Sequence, residues 1–426
     1  MLAWLRAGLL GGRMGRDVLW NMMSVLALSV LGLGLNIIIG RVYGAATLGV
    51  FNQAFAAYIL LSQFCVGGLH FSVLKHGSHA LTRADVDGMM SSAVALVCCF
   101  SGLVAVASYF LRGALGAILR SPDVATAFGY AAFGLFFFSL NKVLFALLNA
   151  SRHMRAYAAF QALRYVMMLA VLLGLVALRQ PGTMTPLLLS GAELGLSLFL
   201  VPYSLFLFRP VSPRRWGTWL RVHLQFGGQA FFSGVLTEIN TRVDVLLLGF
   251  FANDAMVGVY SIAALVAEGL YQIPVVLRTN LNPLLAQHYN EGNMEALREL
   301  VRRGVRTSFW VVGGFLALAA VAYPLLSGVL MGGGDFMASW PVFCILAAGM
   351  AAVGGYLPFM MLLVQAGKPG HHTLLMAGTA LSNVVLNVAL IPLLGIYGSA
   401  LATSVAFVLG AVWLRMLSWR VLRFRM

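Results

Sequence analysis

Apolar residues run along this chain in stretches of about twenty or more, each closed by charged or turn-forming residues. A run of about 20 apolar residues spans the hydrocarbon core of a bilayer as a helix, which satisfies its own backbone N–H and C=O groups. The pattern predicts twelve helices, over 18–40, 46–73, 89–111, 124–149, 157–178, 186–208, 225–252, 257–285, 307–331, 340–365, 373–394 and 398–418. The shorter alternating segments of a membrane β-barrel are absent. The expected fold class is therefore an all-α integral membrane protein with 12 transmembrane helices.

The same wording occurs twice. Residues 37–56 (IIIGRVYGAATLGVFNQAFA) align without a gap on 246–265 (LLLGFFANDAMVGVYSIAAL). Identities fall at Gly40/Gly249, Ala46/Ala255, Gly49/Gly258, Val50/Val259 and Ala54/Ala263. The first segment joins predicted helices 1 and 2, the second helices 7 and 8. NASRHM (149–154) and QAGKPG (365–370) form a second echo, after helices 4 and 10. A shift of six helices keeps the direction of membrane crossing. The expectation is two six-helix bundles in a parallel repeat: an N-terminal bundle over 1–208, a cytoplasmic linker over 209–224 and a C-terminal bundle over 225–426. In transporters with such repeats, substrate sites lie between the halves.

Composition narrows the class. Hydrophobic residues make up 61% of the chain and charged residues 10%, with a mean hydropathy of +0.90. Soluble domains average roughly 45–50% apolar and about 25% charged. The net charge of +15 would suggest nucleic acid in a soluble protein, but its distribution points to orientation instead. With the N-terminus inside, 21 of the 28 basic residues fall on inside segments, among them Arg6, Arg13, Arg16, Arg83, Arg152, Arg155, Arg164, Arg214, Arg215, Arg302 and Arg425. Outside segments hold only Arg41, Arg112, Arg120 and Arg179. Excess Lys and Arg mark the cytoplasmic side, so both termini are expected to be cytoplasmic. The charge then serves contact with anionic membrane lipids, and no nucleic acid is needed. The basic, apolar N-terminus reads as a retained first helix rather than a signal peptide. Cys65, Cys98, Cys99 and Cys344 lie in apolar runs with no metal-binding or disulfide spacing.

Seven ionisable side chains lie within the predicted spans: Lys142, Glu193, Glu238, Arg242, Asp244, Glu268 and Arg278. A charge at the centre of a membrane helix costs about 2.5–3.5 kcal/mol on an insertion scale, so such residues face a bundle interior or a wet cavity. Arg suits pyrophosphate because its planar fork makes two hydrogen bonds at once. Arg242, Arg278, Lys142 and Arg41 are the candidates for a cationic substrate-binding cavity. Snorkelling to headgroups is the plainer reading for Arg278 and Lys142, and Arg41 is as well explained as an interfacial residue. Glu238, Asp244, Glu268 and Glu193 are candidates for ion coupling or for pairing, with Glu238 placed four residues before Arg242 in the favoured order. Asn383 and Asn387 share a face of helix 11, where interhelical hydrogen bonding is the default. No Walker motif, dinucleotide fingerprint or metal constellation is present. No catalytic residue, metal or cofactor is expected, and coupling to an H+ or Na+ gradient stays open.

Several stretches resemble a known family: GRVYGAATLGVFNQA (40–54), RVDVLLLGFFANDAMVGVYSIA (242–263), NLNPLLAQHYNEG (280–292), and LLVQAGKPG with LSNVVLNVALIPLLGIYGSALATS (362–404). The family is the Wzx-type oligosaccharide flippases, grouped with MATE exporters and the lipid II flippase in one superfamily. The resemblance implies a MATE-like fold and alternating access. The implied substrate is an isoprenyl (undecaprenyl) pyrophosphate-linked oligosaccharide repeat unit, moved from the inner to the outer leaflet of the bacterial cytoplasmic (inner) membrane for O-antigen, capsule or exopolysaccharide assembly. Implied partners are the lipid-linked oligosaccharide and the polysaccharide polymerase and chain-length machinery.

Two other readings compete. A MATE-type cation-coupled multidrug antiporter needs acids and aromatics in its cavity, and Arg242, Lys142 and Arg278 weigh against it. A membrane polymerase or glycosyltransferase acting on lipid-linked sugars needs a sizeable outside loop, whereas the outside acids are only Asp123, Asp254 and Asp335.

Overall fold

The computed structural model describes residues 13–78 and 82–422, with side chains from residue 29 onward except Ser233. Residues 1–12, 79–81 and 423–426, and with them Arg6, Arg423 and Arg425, lie outside the described residues.

Every regular element among the described residues is helical. In chain order these are α1 (Arg13–Val66), α2 (Leu69–Gly77), α3 (Arg83–Phe110), α4 (Arg112–Ile118), α5 (Pro122–Ala132), α6 (Gly134–Ala150), α7 (Met154–Ala177) and α8 (Leu187–Leu205). There follow α9 (Trp219–Phe251), α10 (Asp254–Asn290), α11 (Met294–Leu325), α12 (Ser339–Val353), α13 (Leu362–Gln365), α14 (Pro369–Leu394) and α15 (Ile396–Leu422).

Local chemistry explains the ends. Thr82 and Asp85 form a reciprocal capping box at the start of α3. Ser121 caps α5, with Pro122 in the first turn. Asn253 caps α10 and Asn293 caps α11. The stretch between the predicted spans 257–285 and 307–331 is mostly helix, because only the turn before Asn293 separates α10 from α11.

By length and composition, nine helices among the described residues can cross a membrane, or ten if α5 and α6, bent by 47°, count as one span. Two features separate this from the twelve spans expected. First, α1 runs on across Gly44, whose φ of 88° is the one non-helical point between the first two predicted spans. Second, α9 carries Glu238, Arg242 and Asp244 in its C-terminal half and is not among the nine. The helices present large apolar side chains outward, such as Phe110 at 78% and Val321 at 80% exposure. Lipid, unlike water, is a suitable solvent for such faces. The chain is an all-α, multi-pass integral membrane protein.

The helices gather into two compact units. One comprises the described residues up to Leu35 with Ala54–Val235; the other comprises Asn36–Gln53 with the described residues from Leu236 on. The core of the first holds Met89, Met90, Leu144, Leu148, Leu196 and Leu200. In the second, Leu285, Leu297, Phe359, Leu363 and Leu414 pack together.

Within the second unit the repeated segments meet. A Cβ on Gly49 would come 1.7 Å from the carbonyl oxygen of Asp254, and one on Gly258 2.0 Å from that of Ala45. Asp254 is the repeat counterpart of Ala45, so each segment offers the other the same two positions. Such reciprocal contact is the mark of a two-fold relation. Gln53 donates to Asp254 Oδ1 across this crossing at 2.7 Å.

Candidate functional site

The second unit holds most of the candidate residues. Helix α9 carries Glu238, Arg242 and Asp244, and α10 carries Glu268 and Arg278. Arg242 Nη1 lies 3.4 Å from Glu268 Oε1. This pairing is with the next helix, where the i,i+4 spacing points to Glu238. The two side chains keep 25% and 42% of their surface open. A half-open pair of this kind can exchange partners, because neither charge is sealed in a low-dielectric core. Glu238 accepts from Thr241 Oγ1, at 3.1 Å to its carbonyl oxygen.

Asp244 is buried and accepts a 2.6 Å hydrogen bond from the hydroxyl of Tyr260. Its other oxygen accepts from the Val245 N–H. A second polar ladder lies between α14 and α15: Ser399 Oγ donates to Asn387 Oδ1 at 2.8 Å, and Asn387 Nδ2 donates to Asn383 Oδ1 at 2.7 Å. The interhelical hydrogen bond expected of this pair is made by Asn387, and Asn383 is tied to it within α14. Arg278, partly buried, lies ten residues beyond Glu268, about 15 Å at helical rise, and within electrostatic reach of Tyr271 and His372. Among the described residues no ion pair joins it to an acid. Arg41 also belongs to this unit. Its guanidinium donates to the carbonyls of Val329 and Leu330, 3.2 and 3.3 Å away, in the π-helical turn that follows α11. Cations near helix C-termini satisfy orphan carbonyls in this way.

Lys142 and Glu193 belong to the first unit. Lys142 Nζ stands 5.9 Å from the centre of the Phe138 ring. Glu193 is held from three directions. Arg164 Nε lies 2.8 Å from Oε1, Arg164 Nη2 donates to Oε2, and Asn141 Nδ2 donates to Oε2 at 2.8 Å. Ser197 in turn donates to Asn141 Oδ1. The Arg164 guanidinium also lies over the rings of Phe145 and Phe138, at 5.0 and 5.4 Å. Counted by sequence with the inside basic residues, Arg164 instead sits within α7 with its side chain 14% exposed. The signal was its place seven residues into the predicted span 157–178. Asn141, Tyr260 and Gln53, ordinary polar residues in apolar runs, carried no comparable mark. Among the described residues no group of three or more His, Cys, Asp or Glu side chains could hold a metal ion.

The model of a family described as polysaccharide biosynthesis protein matches residues 78–333. The chain belongs to that family. It is also similar to a protein described as a probable flippase, AglR of Haloferax volcanii, with 25% identity over 181 residues. That match covers 40% of this chain and 36% of the relative, so the chain spans about a third of the relative's length. Among solved structures, the lipid II flippase MurJ in an inward closed conformation superposes with a TM-score of 0.76 at 16% identity, over 95% of this chain and 87% of that one. An inward-facing multidrug resistance MATE family transporter of the MOP superfamily gives 0.73 at 13% identity, over 95% and 100%. At these identities the likeness is one of fold. The solved structures that share this fold are described as a flippase and a transporter.

Proposed function

We propose that this protein is a flippase that moves an isoprenyl pyrophosphate-linked oligosaccharide repeat unit from the inner to the outer leaflet of the cytoplasmic membrane by alternating access. The observation that carries the reading is the match to a polysaccharide biosynthesis family over 78–333, on a fold shared with a lipid II flippase. The reading keeps twelve spans in two parallel six-helix bundles, 1–208 and 225–426, with both termini in the cytoplasm. Surface polysaccharide assembly is the process it would serve, with polymerase and chain-length machinery downstream.

Arg242 is the residue assigned to pyrophosphate. Its half-open pairing with Glu268 supports this: an arriving pyrophosphate displaces a carboxylate that holds the guanidinium only at 3.4 Å. Arg278 adds a second positive charge on the same helix as Glu268. Asp244, buried against Tyr260, is the candidate for coupling to H+ or Na+. The similarity to MATE transporters at a TM-score of 0.73 supports a second reading, cation-coupled drug export. It assigns Glu268 and Asp244 to cation binding instead.

The test is mass spectrometry of isoprenyl-pyrophosphate glycans from spheroplasts with and without the gene, paired with an outside-only glycan-modifying enzyme. Build-up of a complete repeat unit, protected on the inner leaflet in the deletion, is the expected result. Unchanged lipid-linked glycans would remove the flippase reading and leave drug export. With protein levels matched, Arg242→Ala is expected to slow flipping at least about tenfold, equivalent to losing about 1.4 kcal/mol of charge-assisted binding. A wild-type rate in that variant would remove Arg242 from the site.

A further inference from the structure

An apolar groove of about 330 Å³ opens in the first unit, among α1, α2, α3 and α9. Its walls include Phe64, Leu69, Phe100, Leu224 and Phe231. Two glycine pairs shape it. Gly67 and Gly68 have φ of 54° and 73°, which stops α1 and lets its end lie flat against α9. A Cβ on Gly68 would come 2.2 Å from the carbonyl oxygen of Gly227, and one on Gly227 2.8 Å from that of Gly67. The backbones are in contact at that point. Gly228 is different: it lines the groove, and a Cβ there would meet nothing within 4 Å.

The groove has a polar end. Arg221, Leu224, Gly228 and Phe231 follow one another along α9 at spacings of three, four and three residues, which places them on one stripe. Arg221, exposed, lies about 10 Å at helical rise before Gly228. Arg221 thus sets a positive charge at one end of an aromatic, apolar channel, whose one imidazole, His223, has both ring nitrogens engaged with Ser72 and the Met89 carbonyl.

We propose that this groove binds the isoprenyl chain of a phosphate-headed carrier lipid, with the phosphate against Arg221. The choice of carrier rests on the flippase reading above. Charge complementarity requires an anionic head beside an apolar body. The volume lies at the small end of the roughly 300–1,000 Å³ of ligand pockets, which suits a segment of one chain rather than two. An isoprenyl carrier has one chain; a glycerophospholipid has two. Aromatic walls give broad contact area to a chain studded with methyl branches.

The experiment uses the full-length protein in phosphatidylcholine nanodiscs. The probe is undecaprenyl monophosphate with a diazirine in its chain. After irradiation, adducts are expected on the peptides holding Phe64–Leu69 and Leu224–Phe231. Gly228→Leu projects a side chain into the groove without striking backbone and is expected to cut those adducts about tenfold, the loss of one power of ten in affinity. Gly174→Leu, at a position in α7 also open within 4 Å, is expected to leave them unchanged. Arg221→Gln is expected to weaken probe binding while adducts stay on the same peptides. Three results would overturn the proposal: adducts elsewhere, equal labelling in Gly228→Leu, or equal labelling of the same peptides by phosphatidylglycerol with a diazirine in an acyl chain. Labelling does not require flipping. A protein labelled as expected whose loss leaves lipid-linked glycans unchanged would keep the groove and lose the flippase reading; the reverse pair would do the opposite.

Discussion

Gly49 and Gly258 permit a test in which one structural relation predicts an unusual pattern of energies. An alanine at Gly258 places its Cβ 2.0 Å from the carbonyl oxygen of Ala45; one at Gly49 places it 1.7 Å from that of Asp254. Carbon–oxygen contacts relax to roughly 3.3 Å, so the segments must separate by about 1.3–1.6 Å. The obstacle is backbone, which cannot swing aside like a side chain. The cost therefore belongs at the upper end of overpacking, about 3 kcal/mol. The Gln53–Asp254 hydrogen bond spans the same crossing at 2.7 Å, and stretching it adds about 1 kcal/mol. Each single variant is expected to lose about 4 kcal/mol. The double variant is expected to lose little more, because one separation clears both clashes. The assay is the apparent melting temperature of the full-length protein in detergent, at one scan rate because membrane proteins of this size unfold irreversibly. Gly269→Ala on the same helix as Gly258, with nothing within 4 Å of its Cβ, serves as control and should match or exceed wild type. A Gly258→Ala protein as stable as this control would refute the backbone contact. Strictly additive losses in the double variant would refute the shared separation.

Three other outcomes follow from buried or capped groups. Glu193→Gln and Arg164→Leu each strand a charge in the first unit and are expected to destabilise by about 3–5 kcal/mol, with the Glu193→Leu/Arg164→Leu pair closer to wild type; unfolding midpoints of the three proteins check this, and a double loss equal to the sum would contradict it. Arg41→Ala removes two donors from the Val329 and Leu330 carbonyls and should cost about 0.5–1.5 kcal/mol, read as a small fall in the same melting assay. His223, ahead of the apolar span of α9, is sealed with Nδ1 2.8 Å from Ser72 Oγ and Nε2 3.0 Å from the Met89 carbonyl oxygen. Burial pushes its imidazole below the usual range against the opposing pull of the Met89 carbonyl. The folded protein then binds this proton less readily than the unfolded chain, so stability is full above about pH 6.5 and declines as pH falls below it. Melting temperatures from pH 8 to 5 should show that decline in wild type and a shallower one in His223→Gln.

Much of the helical layout was legible because a bilayer enforces it. Predicted spans 157–178, 186–208 and 373–394 coincide to within a few residues with α7, α8 and α14, since backbone in lipid has little choice but helix. Gly44 and the start of α10 were bracketed correctly by turn residues. The stretch 286–306, between predicted spans, is largely helix as well, since charge alone does not interrupt a helix. At the candidate sites, residue types were legible and partners were not. Spacing along one helix proposes Glu238 for Arg242 because i,i+4 neighbours are the only pairs a single helix can reveal. Glu268, on another helix, is visible only once the two are packed.

By itself the sequence determined that this chain lives in a membrane, that it is built of helices, that it repeats a segment 209 residues apart, and that ionisable side chains sit where charge is costly. Those properties are additive along the chain: hydropathy, caps and periodicity depend on near neighbours. Tertiary structure alone decided which charges meet. It joined Arg164 to Glu193, Arg242 to Glu268 and Tyr260 to Asp244, and it brought the repeated glycines Gly49 and Gly258 into backbone contact. A buried charge takes whichever partner the packing of helices brings within a few ångströms, and that distance is set by every side chain between them rather than by the local sequence of either.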